Sequence, residues 1–250
     1  MDPLFAFLLR QGDNSLVLGH RLSEWCGHAP ILEEDIALAN TALDLIGQTQ
    51  MWLALAAEVE GQGRSADDLA YLRDAWDFRN ALMVERPNGD YAATMVRQFL
   101  FDAFQVPWLT ALSESSDSRI AEIAQKSVKE ARYHLERSRE TVVMLGDGTE
   151  ESHTRAQTAL NMLWPFAGEM FVDDDVDQAM AHAAVAPAPS AIRAQWNETV
   201  QAAMAEATLT LPDSTFAHSG GRTGARHTEH LGHMLATMQV LPRSYPWATW

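Results

Sequence analysis

An all-α fold, a bundle of four long helices with shorter ones appended, is what this sequence predicts. Apolar residues recur at helical spacing along most of its 250 residues, and no stretch alternates strictly as a half-buried strand does. Glycine or proline clusters punctuate the periodic runs, and no repeat, low-complexity tract or internal boundary interrupts them, so 1–250 reads as one domain.

The first helix runs from about Leu4 to Cys26 and is broken by Gly27-His28-Ala29-Pro30. The second spans Ile31 to Glu60, with Glu33, Glu34 and Asp35 at the positive end of its dipole and Gly61-Gln62-Gly63 at its stop. A looser segment with Tyr71, Trp76 and Phe78 leads to the turn Pro87-Asn88-Gly89-Asp90. The third helix fits Tyr91 to Ser113 and the fourth Arg119 to Leu145, ended by Gly146-Asp147-Gly148. Shorter helices are expected over Ser152–Phe171, Val176–Ala184, Ser190–Ala207 and His227–Val240.

Composition narrows the function classes. A formal charge of −16, from 34 Asp and Glu against 18 Lys and Arg, repels nucleic acid and anionic lipid, so neither is an expected partner. The same field disfavours anionic small molecules unless arginines or another subunit supply local positive charge. No apolar run approaches the ~20 residues of a membrane span, and the start Met1-Asp2-Pro3 lacks a signal peptide's basic residues. The single cysteine, Cys26, excludes an internal disulfide and is expected to be a small buried apolar residue. A cytoplasmic protein fits these features.

The second helix carries Ile36, Leu38, Leu43, Leu45 and Ile46 on more than one side and is expected to be covered by neighbours, with Asn40, Asp44 and Gln48 as a polar stripe. On the fourth, Ile120, Ile123, Ala124, Ser127, Val128, Ala131, His134, Leu135, Ser138 and Val142 share one face, which points His134 at the core. Buried polar stripes in bundles are where carboxylate-bridged metal pairs are built, from a carboxylate on each of two helices and E-x-x-H on each of the other two. At the centre of the second helix stands Leu45-Ile46-Gly47-Gln48, and at the centre of the fourth Ala131-Arg132-Tyr133-His134.

Several blocks, in order, resemble the phenylacetate-degradation oxygenase family: Gly12-Asp13-Asn14, Leu22-Ser23-Glu24-Trp25-Cys26-Gly27-His28-Ala29-Pro30, Ile36-Ala37-Leu38-Ala39-Asn40, Val84-Glu85-Arg86-Pro87-Asn88-Gly89, Lys129-Glu130-Ala131-Arg132-Tyr133-His134 and His227-Thr228-Glu229-His230-Leu231-Gly232. They are most similar to its smaller, non-catalytic helical subunit. The resemblance implies a ferritin-like bundle. By the same resemblance Leu45 and Gln48 stand where one E-x-x-H pair of the iron-binding subunit belongs, and Ala131 and His134 where the other belongs. The remaining carboxylates fall near Asp13 and Asp102, with Gln98 as the neighbouring alternative. Leucine and alanine cannot ligate iron and an amide is a poor substitute for imidazole, so the metal site reads as degenerate. Asp13, Gln48, Asp102 and His134 would then satisfy themselves by hydrogen bonds or ion pairs.

In complexes of that kind the non-catalytic subunit touches the CoA ester from outside. The resemblance makes Asp77, Phe78, Arg79 and Asn80 candidate contacts, with Gln178, Ala179 and Met180 as a second set; Arg79 would pair with a phosphate. A plain surface loop is the other reading of both. Trp52, Trp76, Phe78, Trp108, Trp164, Phe166 and Phe171 are read as core. Glu130 with His134, and His227, Glu229, His230 and His233, have spacings compatible with an ion, but a hydrogen-bonded core histidine for the first and helix-capping or subunit-contact roles for the second are the favoured readings. Ser219-Gly220-Gly221-Arg222-Thr223-Gly224 lacks the preceding strand and lysine of a phosphate-binding loop.

The function these readings imply is that of a structural subunit that supports a di-iron catalytic subunit in epoxidising the aromatic ring of phenylacetyl-CoA. No cofactor is expected in this chain. Di-iron would belong to the partner, NADPH, flavin and an iron–sulfur cluster to the associated reductase, and further small subunits complete the complex, with phenylacetyl-CoA at the subunit interface. The rival readings are an independently active di-iron oxygenase with an atypical ligand set and an unrelated helical adaptor.

Overall fold

The structure, a computed structural model, describes residues 1–248. The chain divides into two compact units, one made of Met1–His28, Glu33–Arg86 and the chain from Ser219 onward, the other of Ala29–Leu32 and Pro87–His218. Every regular element among the described residues is helical.

In the first unit, α1 (Pro3–Ser23) begins on Asp2, whose carboxylate accepts the Phe5 N–H at 3.0 Å, with Pro3 in the first turn where no N–H is needed. It is buried on all sides from Phe5 to Leu22 except at His20. Gly12 and Gly19 let α2 (Leu32–Glu60) come close: a Cβ on Gly12 would lie 2.5 Å from Leu53 Cδ2. The expectation that α2 is the covered helix is corrected here. Ile36 and Leu43 are 53% and 66% exposed and Asn40 is exposed, while Leu38, Leu45 and Gln48 face inward. The long helix of this unit that is covered all round is α1, although it carries Arg10, Gln11, Asp13, Asn14 and Ser15.

Two short helices follow. A capping box of Ser65 and Asp68 starts α3 (Ala66–Tyr71), and after a 3-10 turn at Ala75–Asp77 comes α4 (Leu82–Glu85).

In the second unit, Asp90 caps α5 (Tyr91–Leu112) and Asp117 caps α6 (Ser118–Gly146). These stand where the patterning predicts; of the four long helices the largest difference is at the end of α1, Ser23 instead of Cys26. A Cβ on Gly146 would lie 2.3 Å from the Ala207 carbonyl oxygen, so only glycine permits that approach at the end of α6. The unit continues through α7 (Glu150–Ala167), a 3-10 turn, α8 (Asp175–His182), a second turn and α9 (Arg193–Glu206). Phe104, Trp108, Phe171, Trp196 and Trp164 form a chain of ring contacts at 5.1–5.7 Å, and the Trp196 indole N–H donates to the Leu100 carbonyl at 2.9 Å.

The first unit closes with α10 (Glu229–Met238) and α11 (Val240–Ser244). Two further expectations are corrected. Trp76 is 65% exposed instead of core, and Cys26, beyond the end of α1, is exposed instead of buried.

Candidate functional site

Two buried carboxylates stand at positions that the resemblance assigns to metal ligands, one in each unit. Asp13, on α1, is 0% exposed. Arg73 grips it with both guanidinium nitrogens: Nη2 bonds Oδ1, and Nη1 donates to Oδ2 at 3.0 Å. The Arg79 backbone N–H donates to the same Oδ2 at 2.8 Å. Arg73 is itself placed by its Nε bond to the Leu69 carbonyl, at the end of α3, and by the Phe78 ring, 4.3 Å from its Cζ. This is a buried, bidentate and fully hydrogen-bonded ion pair.

In the other unit, Asp102 on α5 is 2% exposed. Gln98 Nε2 donates to Oδ1 and Ser138 Oγ to Oδ2, each at 2.8 Å, Ser138 projecting from α6. Burial pushes the Asp102 carboxyl up to about 6; the nearby charge of His134 and these hydrogen bonds pull it the other way, but less. His134 is buried on the same α6 face as Ala131, as its spacing predicts. Gln98 Oε1 is buried without a hydrogen-bond partner.

Leu45 and Ala131, both 3% exposed, contribute no donor atom, and Gln48 is buried on α2. Among the described residues no three of His, Cys, Asp and Glu gather as a metal ion requires. That includes His227, Glu229, His230 and His233. His227 instead places Nδ1 2.5 Å from Glu85 Oε1 and Nε2 3.2 Å from the Phe78 carbonyl. Glu85, fully buried, also accepts the Thr228 N–H and hydroxyl, both at 2.7 Å, and so caps α10; Asn80 Nδ2 donates to it at 2.9 Å. Arg21 adds bonds to the Glu85 and His230 carbonyls at 2.9 and 3.0 Å. Glu85 of the 84–89 block and His227 and Thr228 of the 227–232 block thus belong to one network.

The proposed ester contacts divide. Asp77 is exposed, and the half-buried Arg79 turns Nη1 onto the Trp76 and Phe78 carbonyls. Phe78 and Asn80 are 0% exposed, so their side chains are interior: Phe78 is core, as its spacing predicts, and the surface-loop alternative does not describe these two. In the second set Gln178 is exposed, Ala179 is partly covered and Met180 is buried. Sequence reasoning missed Arg73 and Glu85. The Ser65-x-x-Asp68 box, which fixes the helix before Arg73, was the available signal for the first.

What the fold and the site define is an all-helical protein with a buried aspartate in each unit, one of them neutralised by the chain's own cation. The sequence profile described as "Phenylacetic acid catabolic protein" matches residues 1–250, and the chain belongs to that family. It is 48% identical over 250 residues, all of both chains, to a protein of Escherichia coli (strain K12) named as a subunit of 1,2-phenylacetyl-CoA epoxidase. The family's fold is ferritin-like. As a donor set for a metal pair the residues here do not fit. Both Asp13 oxygens are taken, a guanidinium already supplies the positive charge, and two positions are aliphatic.

Proposed function

We propose that this chain is the non-catalytic, structural subunit of a multicomponent oxygenase that epoxidises the aromatic ring of phenylacetyl-CoA in aerobic phenylacetate catabolism. The family and the full-length likeness to a relative named as an epoxidase subunit support the setting. The observation that carries the structural role is the Arg73–Asp13 pair. An iron-bearing protein needs that carboxylate open to the metal, and here an internal cation holds it.

In this reading the catalytic partner subunit holds the di-iron centre, which supplies oxygen activation when fed electrons from NADPH through a reductase with flavin and an iron–sulfur cluster. This chain contributes packing and surface. The exposed Ile36 and Leu43 of α2 are an apolar face suited to a partner helix. In the first unit Asp77 and Arg79 would touch the ester, with Phe78 and Asn80 behind them; in the second, Gln178, Ala179 and Met180 are a separate candidate set. Arg79 is the cation that offsets a net charge of −16 for an anionic ester. In the described residues no helix is long and apolar enough to cross a membrane; the assembly would work in the cytoplasm, without nucleic acid.

Metal analysis of the chain expressed with ample iron tests this. Iron should be near zero in the purified chain and stoichiometric only once the iron-binding partner is added. Stoichiometric iron in the chain alone, with the absorbance of an oxo-bridged centre, would make it an independent oxygenase and end the proposal.

A further inference from the structure

The Gly12-Asp13-Asn14 block does more than occupy the middle of α1. Asp13 Oδ2 accepts the Arg79 N–H at 2.8 Å, and Asn14 Oδ1 accepts the Ala81 N–H at 2.8 Å. The backbone between α3 and α4 is extended there, with φ −73 and ψ 152 at Phe78 and φ −66 and ψ 146 at Ala81. Alternate amides of a non-helical stretch therefore dock on two consecutive side chains of one helix. Among the described residues neither amide has a backbone acceptor, so without Asp13 and Asn14 both donors would need other acceptors. Arg73 closes the clasp from the other side, bonding Asp13 and the Asp77 carbonyl at 3.1 Å.

The outer side of the same stretch is fixed by the glycine-rich loop. A Cβ on Gly221 would lie 2.5 Å from the Asn80 carbonyl oxygen, and one on Gly224 would lie 2.0 Å from Arg79 Nη1. Residues 77–80 are held between α1 and this loop, with Asp77 and part of Arg79 left outward.

We propose that Asp13 and Asn14 are positioning residues for ester binding: they hold the backbone at Arg79 and Ala81 so that Arg79 is presented to the CoA ester. In this chain the position of a metal ligand serves to anchor a binding segment. The inference rests on the reading of Arg79 as an ester contact. Neither residue touches the ester; both act through the segment.

Hydrogen exchange and steady-state kinetics on the reconstituted complex test it, with Asp13→Asn, Asn14→Ala and Arg79→Ala. In Asp13→Asn the amides over 78–81 should exchange at least about tenfold faster. The KM for phenylacetyl-CoA should rise about 3–10-fold, with kcat within about twofold. Asn14→Ala removes one neutral acceptor and should give the same pattern more weakly; it carries the test if Asp13→Asn does not fold. Unchanged exchange overturns the clasp whatever the ester contacts are. Faster exchange with unchanged KM overturns the positioning role, and Arg79→Ala then separates the causes. A raised KM in Arg79→Ala leaves the contact standing, and an unchanged one removes the contact as well.

Discussion

Asp13 and Asp102 are both buried acids that the resemblance assigns to metal-ligand positions, yet the two units keep them by different means. Asp13 faces a guanidinium in a two-pronged pair and accepts a backbone N–H besides. Among the described residues Asp102 takes its hydrogen bonds from neutral donors, Gln98 and Ser138, with the charge of His134 nearby, and its carboxyl is pushed up to about 6. One carboxylate is balanced by a fixed cation, the other, below about pH 6, by a proton. A fixed cation balances charge over the whole working pH range. A proton does so only below the group's own pKa.

The largest effect should come from removing the cation. Arg73→Met leaves Asp13 buried and unpaired, and denaturant unfolding at pH 7 should show a loss of about 3–5 kcal/mol. Adding Asp13→Asn to that variant should recover a large part of the loss, because the uncompensated charge is gone. If the single variant is as stable as the wild type, the pair is not what balances Asp13.

Next comes the proton. In the folded protein Asp102 holds its proton up to about pH 6, whereas unfolded it releases it near 3.8. Its contribution to stability is therefore full below pH 4, falls as pH rises towards 6, and is level above. Asp102→Asn should abolish that slope and gain up to about 3 kcal/mol on the wild type between pH 4 and pH 8. Parallel pH–stability curves for the two proteins would place the titration elsewhere.

The smallest effect refines the second. Ser138→Ala removes a donor that favours the ionised form, so it should cost about 1 kcal/mol at pH 8 and close to nothing at pH 4.5. An equal cost at both would mean that the hydroxyl serves packing and not the charge.

The four long helices were legible because apolar periodicity repeats over many turns, and the α6 face with His134 and Ser138 was read correctly from spacing alone. Ala66–Tyr71 and Leu82–Glu85 were not legible, being too short for a periodic signal, although Ser65 and Asp68 marked the first of them. Apolar side chains on α2 state that the surface wants covering; they do not say whether this chain or another covers it, which is why Ile36 and Leu43 were misplaced. Both acids of the candidate site were visible at their helical positions. The partner of Asp13 was not, since Arg73 lies 60 residues away, beyond a loop whose path no local pattern encodes. The roles of Gly221 and Gly224 were hidden for the same reason. A glycine needed for close approach looks, in sequence, like a glycine in a flexible loop.

The unit that holds Asp13 is stitched from both ends of the chain. Arg10 donates to the Arg222 carbonyl, Glu85 caps the helix after His227, and Gln239 reaches the Ala70 and Arg73 carbonyls. Apart from 29–32, the other unit is one continuous stretch from Pro87 to His218. On the ribosome that stretch is complete while the last segment of its neighbour is still unmade, so it is positioned to fold first. Until the final helices emerge, α1 and α2 wait with Glu85 uncovered, and a transcript cut short after 218 would encode one unit whole and the other without its lid.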